Sequence, residues 1–144
     1  MSQPEQTLTA PGPDDLRRLA AQRAVLERHL SGAASHANYR KAPGKLGLIR
    51  ALLESRIYQP HQTYELQCMG VILGDAFVDH FGFEWVVVED AQGRDPALRL
   101  PDTSIILFPL TMISKRVEQG EAVDVFDLFN GVAGEVDRIR KVAD

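Results

Sequence analysis

The side chains with chemical potential in this chain form one dense charged cluster and a wide scatter. The cluster runs through Glu84, Glu89, Asp90, Arg94, Asp95 and Arg99, with Lys115 and Arg116 further on and Trp85, the only tryptophan, among them. Arginine offers a planar fork of donors and lysine a compact cation, so both recognise carboxylates and phosphates. Trp85, Glu89, Asp90, Arg94, Arg99, Lys115 and Arg116 are therefore the candidate binding set, for an anionic group or an acidic partner segment. Strand alternation places Trp85, Val87 and Glu89 on one face and Glu84, Val86, Val88 and Asp90 on the other. Arg94, just past the turn, reaches back toward Glu89 or Asp90. The more frequent meaning of such a set is an ion pair that pins a hairpin, contributing about 0–1 kcal/mol when exposed. Lys115 and Arg116 are more often simply a solvated helix face.

Other chemistries find less support. The histidines, His29, His36, His61 and His80, fall in different elements and lack the spacings of zinc motifs. Asp75 and Asp79 stand one helical turn apart beside His80, but such pairs are usually solvated, and no metal site is assigned. Cys68 has no basic neighbour in sequence and falls in an apolar helical pattern, which points to a buried reduced thiol. There is no G-x-S-x-G elbow. Gly70 and Gly74 lie inside a helical pattern rather than in a phosphate-cradling loop. No catalytic residue and no cofactor is assigned. The net charge of −4 and an aromatic content of 7%, not interleaved with basic residues, argue against nucleic acid. No run approaches the roughly 20 apolar residues of a membrane helix. The first residues lack the basic and apolar regions of a secretory signal, so the expected location is the cytoplasm.

These residues are positioned by elements that the pattern predicts in outline. The 144 residues fit one domain, over 14–144, after a polar, proline-containing segment over 1–13 expected to be a flexible tail or a strap. An amphipathic helix is predicted over 15–31, with Arg23 on its otherwise apolar face, then a loop over 32–44 and a second helix over 45–56. The third helix, over 62–81, is the most apolar; Gly70 and Gly74 mark a close backbone approach. Three strands follow: Trp85 to Val88, a weaker one over 95–100, and 104–108. Turns at Asp90–Gly93 and at Pro101 and Asp102 separate them. Pro109 opens a helix that Gly120 ends, and Asp124 caps a last helix over 125–143. The fold class is α+β: N-terminal helices, a small antiparallel three-stranded meander, then two C-terminal helices.

Three stretches carry a family resemblance. They are Leu66 through Asp75, then Trp85 through Asp90 with Gly93 and Arg94, and then the string Phe108-Pro109-Leu110-Thr111-Met112-Ile113-Ser114-Lys115-Arg116. Over about 64–128 the chain resembles a bacterial domain of unknown function, family 3806. The resemblance implies a small bacterial α+β domain and supplies no activity, cofactor or site residue. The absence of a catalytic set favours a non-enzymatic interaction or adaptor module with a protein partner, for instance through an edge strand at 96–100. The alternative is a small-molecule or anion-binding domain, enzymatic or not, using the charged hairpin at 89–99. The two differ in geometry. A ligand site buries Arg94 or Lys115 beside Trp85 in a concave pocket. An interaction module shows an apolar patch with charges at its rim.

Overall fold

The computed structural model describes residues 6–143. Its elements, in chain order, are β1 (Thr7–Thr9), α1 (Pro13–Glu27), α2 (Gly32–Tyr39), α3 (Ala42–Glu54), α4 (Thr63–Phe81), β2 (Glu84–Asp90), β3 (Gly93–Arg99), β4 (Ile106–Leu107), α5 (Leu110–Glu118) and α6 (Val125–Ala143). The class is α+β, as expected, with one strand more than the predicted meander. No helix among the described residues is long and apolar enough to cross a membrane.

Helix α4 is the axis of the molecule. Leu66, Cys68, Met69, Val71, Ile72, Leu73, Ala76 and Phe77 are all buried, so it is apolar nearly all round and packs among α1, α3 and α5. Its close-approach glycines behave as the sequence implies. A Cβ at Gly70 would lie 2.5 Å from the Leu110 Cα and from the Pro109 carbonyl oxygen. One at Gly74 would lie 2.6 Å from the Trp85 indole. The start of α5 thus rests on the backbone of α4, and Trp85 fills the next notch. Gly82, at φ 82°, ends the helix in the left-handed conformation that glycine adopts without strain.

The antiparallel sheet has the order β1-β2-β3-β4. The β2–β3 hairpin sets Glu89 opposite Arg94 and Asp90 opposite Gly93, and the Asp90 carboxylate accepts the Gln92 N–H at 2.8 Å across the turn. Phe83, Trp85, Leu98, Leu100 and Leu107 join the helical core, whereas Val86, Val88 and Ala97 form a second small cluster with Leu8 and Ile106 on the outer face. The two-sided apolar character of β2 is explained by these two clusters.

Four expectations need correction. Thr7–Thr9, placed in the tail segment, is a strand that pairs with Val87–Glu89; residues 1–5 of that segment lie outside the described residues. Three residues are too short for alternation to register, and Leu8 gains its partial burial from the outer-face cluster that includes Val88, its partner across the sheet. The loop predicted over 32–44 holds α2 and the start of α3. The eight residues of α2 include three alanines but carry no apolar stripe, and the Ser35 hydroxyl accepts the Ser31 N–H and donates to the Ser31 carbonyl at the start of the helix. The α2 backbone also closes on Gly44, where a Cβ would meet the Asn38 carbonyl oxygen at 1.8 Å. Pro43, which suggested loop, sits in the first turn of α3. The strand predicted over 104–108 is reduced to Ile106–Leu107. Finally, the strand expected at the edge near Pro96–Leu100 is internal at its C-terminal end, where Leu98 and Arg99 pair with β4; β1 and β4 are the outer strands.

Helix α6 closes the fold. The Asp124 carboxylate accepts the Phe126 and Asp127 N–H groups at 3.0 and 3.1 Å, the cap the sequence indicates. Phe129 stacks on Phe77 and Phe81, with centroids 5.5 and 5.4 Å away, and Arg140 donates to the Phe81 carbonyl at 2.9 Å.

The notch at Gly70 makes a direct prediction. Gly70→Ala should lower stability by about 1–3 kcal/mol through overpacking, despite the ~1 kcal/mol that alanine gains in a helix. Gly131→Ala in α6, where a Cβ meets nothing within 4 Å, should raise it. Urea denaturation of the two variants measures both signs.

Candidate functional site

The charged cluster around the hairpin separates into independent pairs. The Arg94 Nη2 lies 2.5 Å from Asp15 Oδ2, and its Nη1 lies 3.6 Å from Glu89 Oε2. Arg99 is paired with Glu84, its Nε donating at 3.1 Å. Glu89 and Glu84 fall on opposite faces of β2, so the two pairs do not share a site. Asp15 also accepts the Gly12 N–H at 2.8 Å. That backbone bond first, and the Arg94 guanidinium second, hold its carboxyl below the usual carboxylate range. Arg94 therefore links the start of α1 to the hairpin. The space between them, bounded by Arg18, Gln22, Val87 and Pro96, is about 30 Å³, enough for a water and far below a ligand pocket.

Trp85 lies elsewhere. It stands four residues along β2 from Glu89, about 13 Å at the rise of a strand, and its indole N–H donates to Asp75 Oδ1 at 3.0 Å. Asp75 in turn takes a two-pronged contact from Arg23, with Nε at 2.6 Å from Oδ2 and Nη2 at 2.9 Å from Oδ1. The side chains are 27% and 13% exposed, so the pair is mostly out of water. The hydrogen bonds to Asp75 raise the Arg23 pKa, against the opposing effect of burial. One turn on, Lys45 Nζ sits 2.5 Å from Asp79 Oδ2, donates to the Tyr39 carbonyl at 2.9 Å and lies 5.0 Å over the Tyr39 ring. Asp75 and Asp79, weighed above as a metal pair, each hold a protein cation. No group of three metal-ligating side chains occurs among the described residues. The Arg23–Asp75 link escaped sequence reasoning. Its trace was a pair of opposite charges in apolar positions, Arg23 on the apolar face of the first helix and Asp75 in the most apolar one.

Cys68 is buried, and burial first, then Glu65, pushes its thiol up to about 11. It stays protonated at neutral pH and is a poor nucleophile. Lys115 is exposed on α5 and forms none of the ion pairs among the described residues, while Arg116 donates through Nη1 to the Met112 carbonyl at 2.7 Å.

Arg116 marks the surface that the hairpin charges do not form. Between β4, α5 and α6 runs a groove of about 450 Å³. Ile105 and Leu107 form one wall, Met112 a second, and Leu128, Val132 and Ile139 a third. Val136, fully buried, lies at its base, and Arg116, Asp127 and Glu135 stand around it. Along α6, Val125, Phe129 and Val136 are buried while Leu128, Val132 and Ile139 are only partly covered, so the apolar stripe is wider than the protein's own packing requires. A larger recess of about 880 Å³ lies by α2 and α3, where the Ser35 hydroxyl bonds the Ser31 backbone and His29 meets the Tyr58 hydroxyl at 2.9 Å.

Two variants test these assignments. Asp75→Leu leaves Arg23 and the Trp85 N–H without a partner and should destabilise by about 2–3 kcal/mol, with part recovered in Arg23→Met/Asp75→Leu; a double-mutant cycle in urea reads the coupling. Arg94→Ala should raise the Asp15 pKa toward its ordinary 3.8, as followed by NMR titration. A depressed folded pKa gives stability that is present above 3.8 and lost as pH falls through the folded value, so this variant should lose less stability on acidification than wild type.

Comparison with known proteins follows the fold more than any chemistry. No curated protein matches the chain. A crystal structure from Bacteroides thetaiotaomicron VPI-5482 at 1.50 Å superposes with a TM-score of 0.71 at 12% identity, covering 91% of this chain and 48% of that one. The chain thus spans about half the length of that solved protein, and at this identity the likeness is one of fold. The family model described as a domain of unknown function (DUF3806) matches residues 45–129, which is more than half of the chain and reaches upstream of the resemblance read from the sequence. The α4 axis, the hairpin and α5 all lie within that match, and the chain belongs to the DUF3806 family.

Proposed function

We propose that this domain is a non-enzymatic protein-interaction module whose working surface is the groove between β4, α5 and α6. The observation that carries this reading is the composition of the groove: apolar walls from Leu107, Met112, Leu128, Val132 and Ile139, with Arg116, Asp127 and Glu135 around them. Interfaces combine an apolar centre with a polar rim. Catalysis needs a nucleophile, an acid–base pair or a metal. The groove offers apolar contact with a few charges at its edge, Glu135 already paired with Arg138, and the buried Cys68 thiol is held protonated. An anion site at the 89–99 hairpin is less well supported, because Arg94 and Arg99 already face carboxylates and the adjoining space is about 30 Å³. The lone reduced thiol suits a reducing compartment such as the cytoplasm.

A photo-crosslinking residue placed at Val132 in the native host should capture one dominant protein. Ile139→Glu, which puts a charge into the groove wall, should abolish the crosslink while the melting temperature stays close to wild type. The same crosslinker at Arg94 should capture nothing specific. Capture from position 94 that survives Ile139→Glu would refute the assignment.

A further inference from the structure

The groove adjoins an open sheet edge. Leu107 pairs with Leu98 and Ile106 with Arg99, and no strand pairs with the other side of β4 among the described residues. The Ile105 carbonyl accepts the Leu100 N–H at 3.1 Å, so the backbone groups of Ile105 face β3. Backbone direction alternates along a strand, and those of Ile106 therefore face outward, away from β3. The side chains alternate as well. Ile105 and Leu107 line the groove beneath the sheet, Ile106 packs into the outer-face cluster, and Phe108 is 42% exposed.

From this arrangement we infer that the groove takes an extended partner segment, which adds a fifth strand at β4. Alternate apolar side chains of the segment enter the groove, and the others lie beside Ile106 and Phe108 on the outer face. A helix seated between α5 and α6 would use the groove alone and leave both the Ile106 backbone and Phe108 without a role. Strand addition uses all three. Charge sets the chemistry of the segment. Arg116, on the α5 wall, has no carboxylate partner among the described residues, and Asp127, on the α6 wall, has no cation, so the segment carries an acidic residue for the first and a basic one for the second. Gly131 keeps the α6 wall bare. It lies in mid-helix, where glycine is about 1 kcal/mol less favourable than alanine, and a Cβ there meets nothing within 4 Å.

The inference rests on the interaction-module reading, and one experiment separates their failures. A phage-displayed library of random linear peptides is selected on the folded domain, and a selected peptide is then synthesised. The expected peptide has apolar residues at every second position, an acidic residue and a basic one. Its binding should be lost in Gly131→Leu, weaken about tenfold in Arg116→Ala, and slow exchange of the Ile106 amide at least tenfold by NMR. Peptides lost in Gly131→Leu but with apolar residues at three- and four-residue spacing, and with Ile106 exchange unchanged, overturn strand addition and leave the groove as the site. No selected peptide, or peptides indifferent to Gly131→Leu, overturn both. Should Gly131→Leu melt below wild type, Ile139→Glu replaces it in every arm.

Discussion

Three consecutive contacts on α4 hold the molecule together: the backbone of α5 on Gly70, the Trp85 indole on Gly74, and Arg23 on Asp75. They act over little more than one helical turn, yet they fix one helix, one strand and another helix against the same axis. The glycines remove side chains where a Cβ would lie within 3 Å of another backbone or ring. The carboxylate does the opposite, giving a half-buried arginine and an indole N–H one shared partner. A side chain at either glycine would push the layers apart.

The groove follows from that packing. Because Leu110 is seated on Gly70, α5 lies close to α4, while α6 is held further along by Phe129 on the Phe77 and Phe81 rings and by Arg140 at the end of α4. The two helices are anchored at different places on the same axis, and β4 is too short to fill the space between them. The hairpin charges belong to another part of the architecture. Arg94 joins β3 to Asp15, and Asp15 receives the Gly12 N–H, so the ion pair orders the passage from the β1 strap into α1.

Much of this is legible in the sequence, for definite reasons. The long helices α1, α4 and α6 show themselves through apolar periodicity, with Gly82 ending α4 and Asp124 capping α6, and the hairpin through Asp90 and Gly93. The close approach at Gly70 and Gly74 is readable because glycine weakens a helix, so two of them one turn apart in an apolar helix point to a neighbour that needs the space. Strand β1 is not legible because its partner lies across the fold, Leu8 against Val88, and helix α2 is not legible because its eight residues bury none and so show no apolar stripe. Arg23 and Asp75 stand in view as misplaced charges, but nothing local says that residues 52 apart meet. The groove is hidden for a related reason. Its walls come from three separate stretches, each with an ordinary amphipathic stripe, and only the packed structure reveals that the stripes of α5 and α6 are left partly uncovered. The charged hairpin draws most weight at the level of sequence because charge is visible there, whereas unfilled volume is not.

On the proposal that the groove is the working surface, the half-buried polar clamp and the hairpin pairs serve the architecture. The most direct check is a chemical-shift map of the ¹⁵N-labelled domain, recorded as the segment captured by crosslinking is titrated in. The perturbed amides should cluster at Ile105, Ile106 and Leu107, at Met112 and Arg116, and along α6 from Leu128 to Ile139. Perturbation confined to the hairpin, from Glu84 to Arg99, with the groove unchanged, would contradict this division of roles.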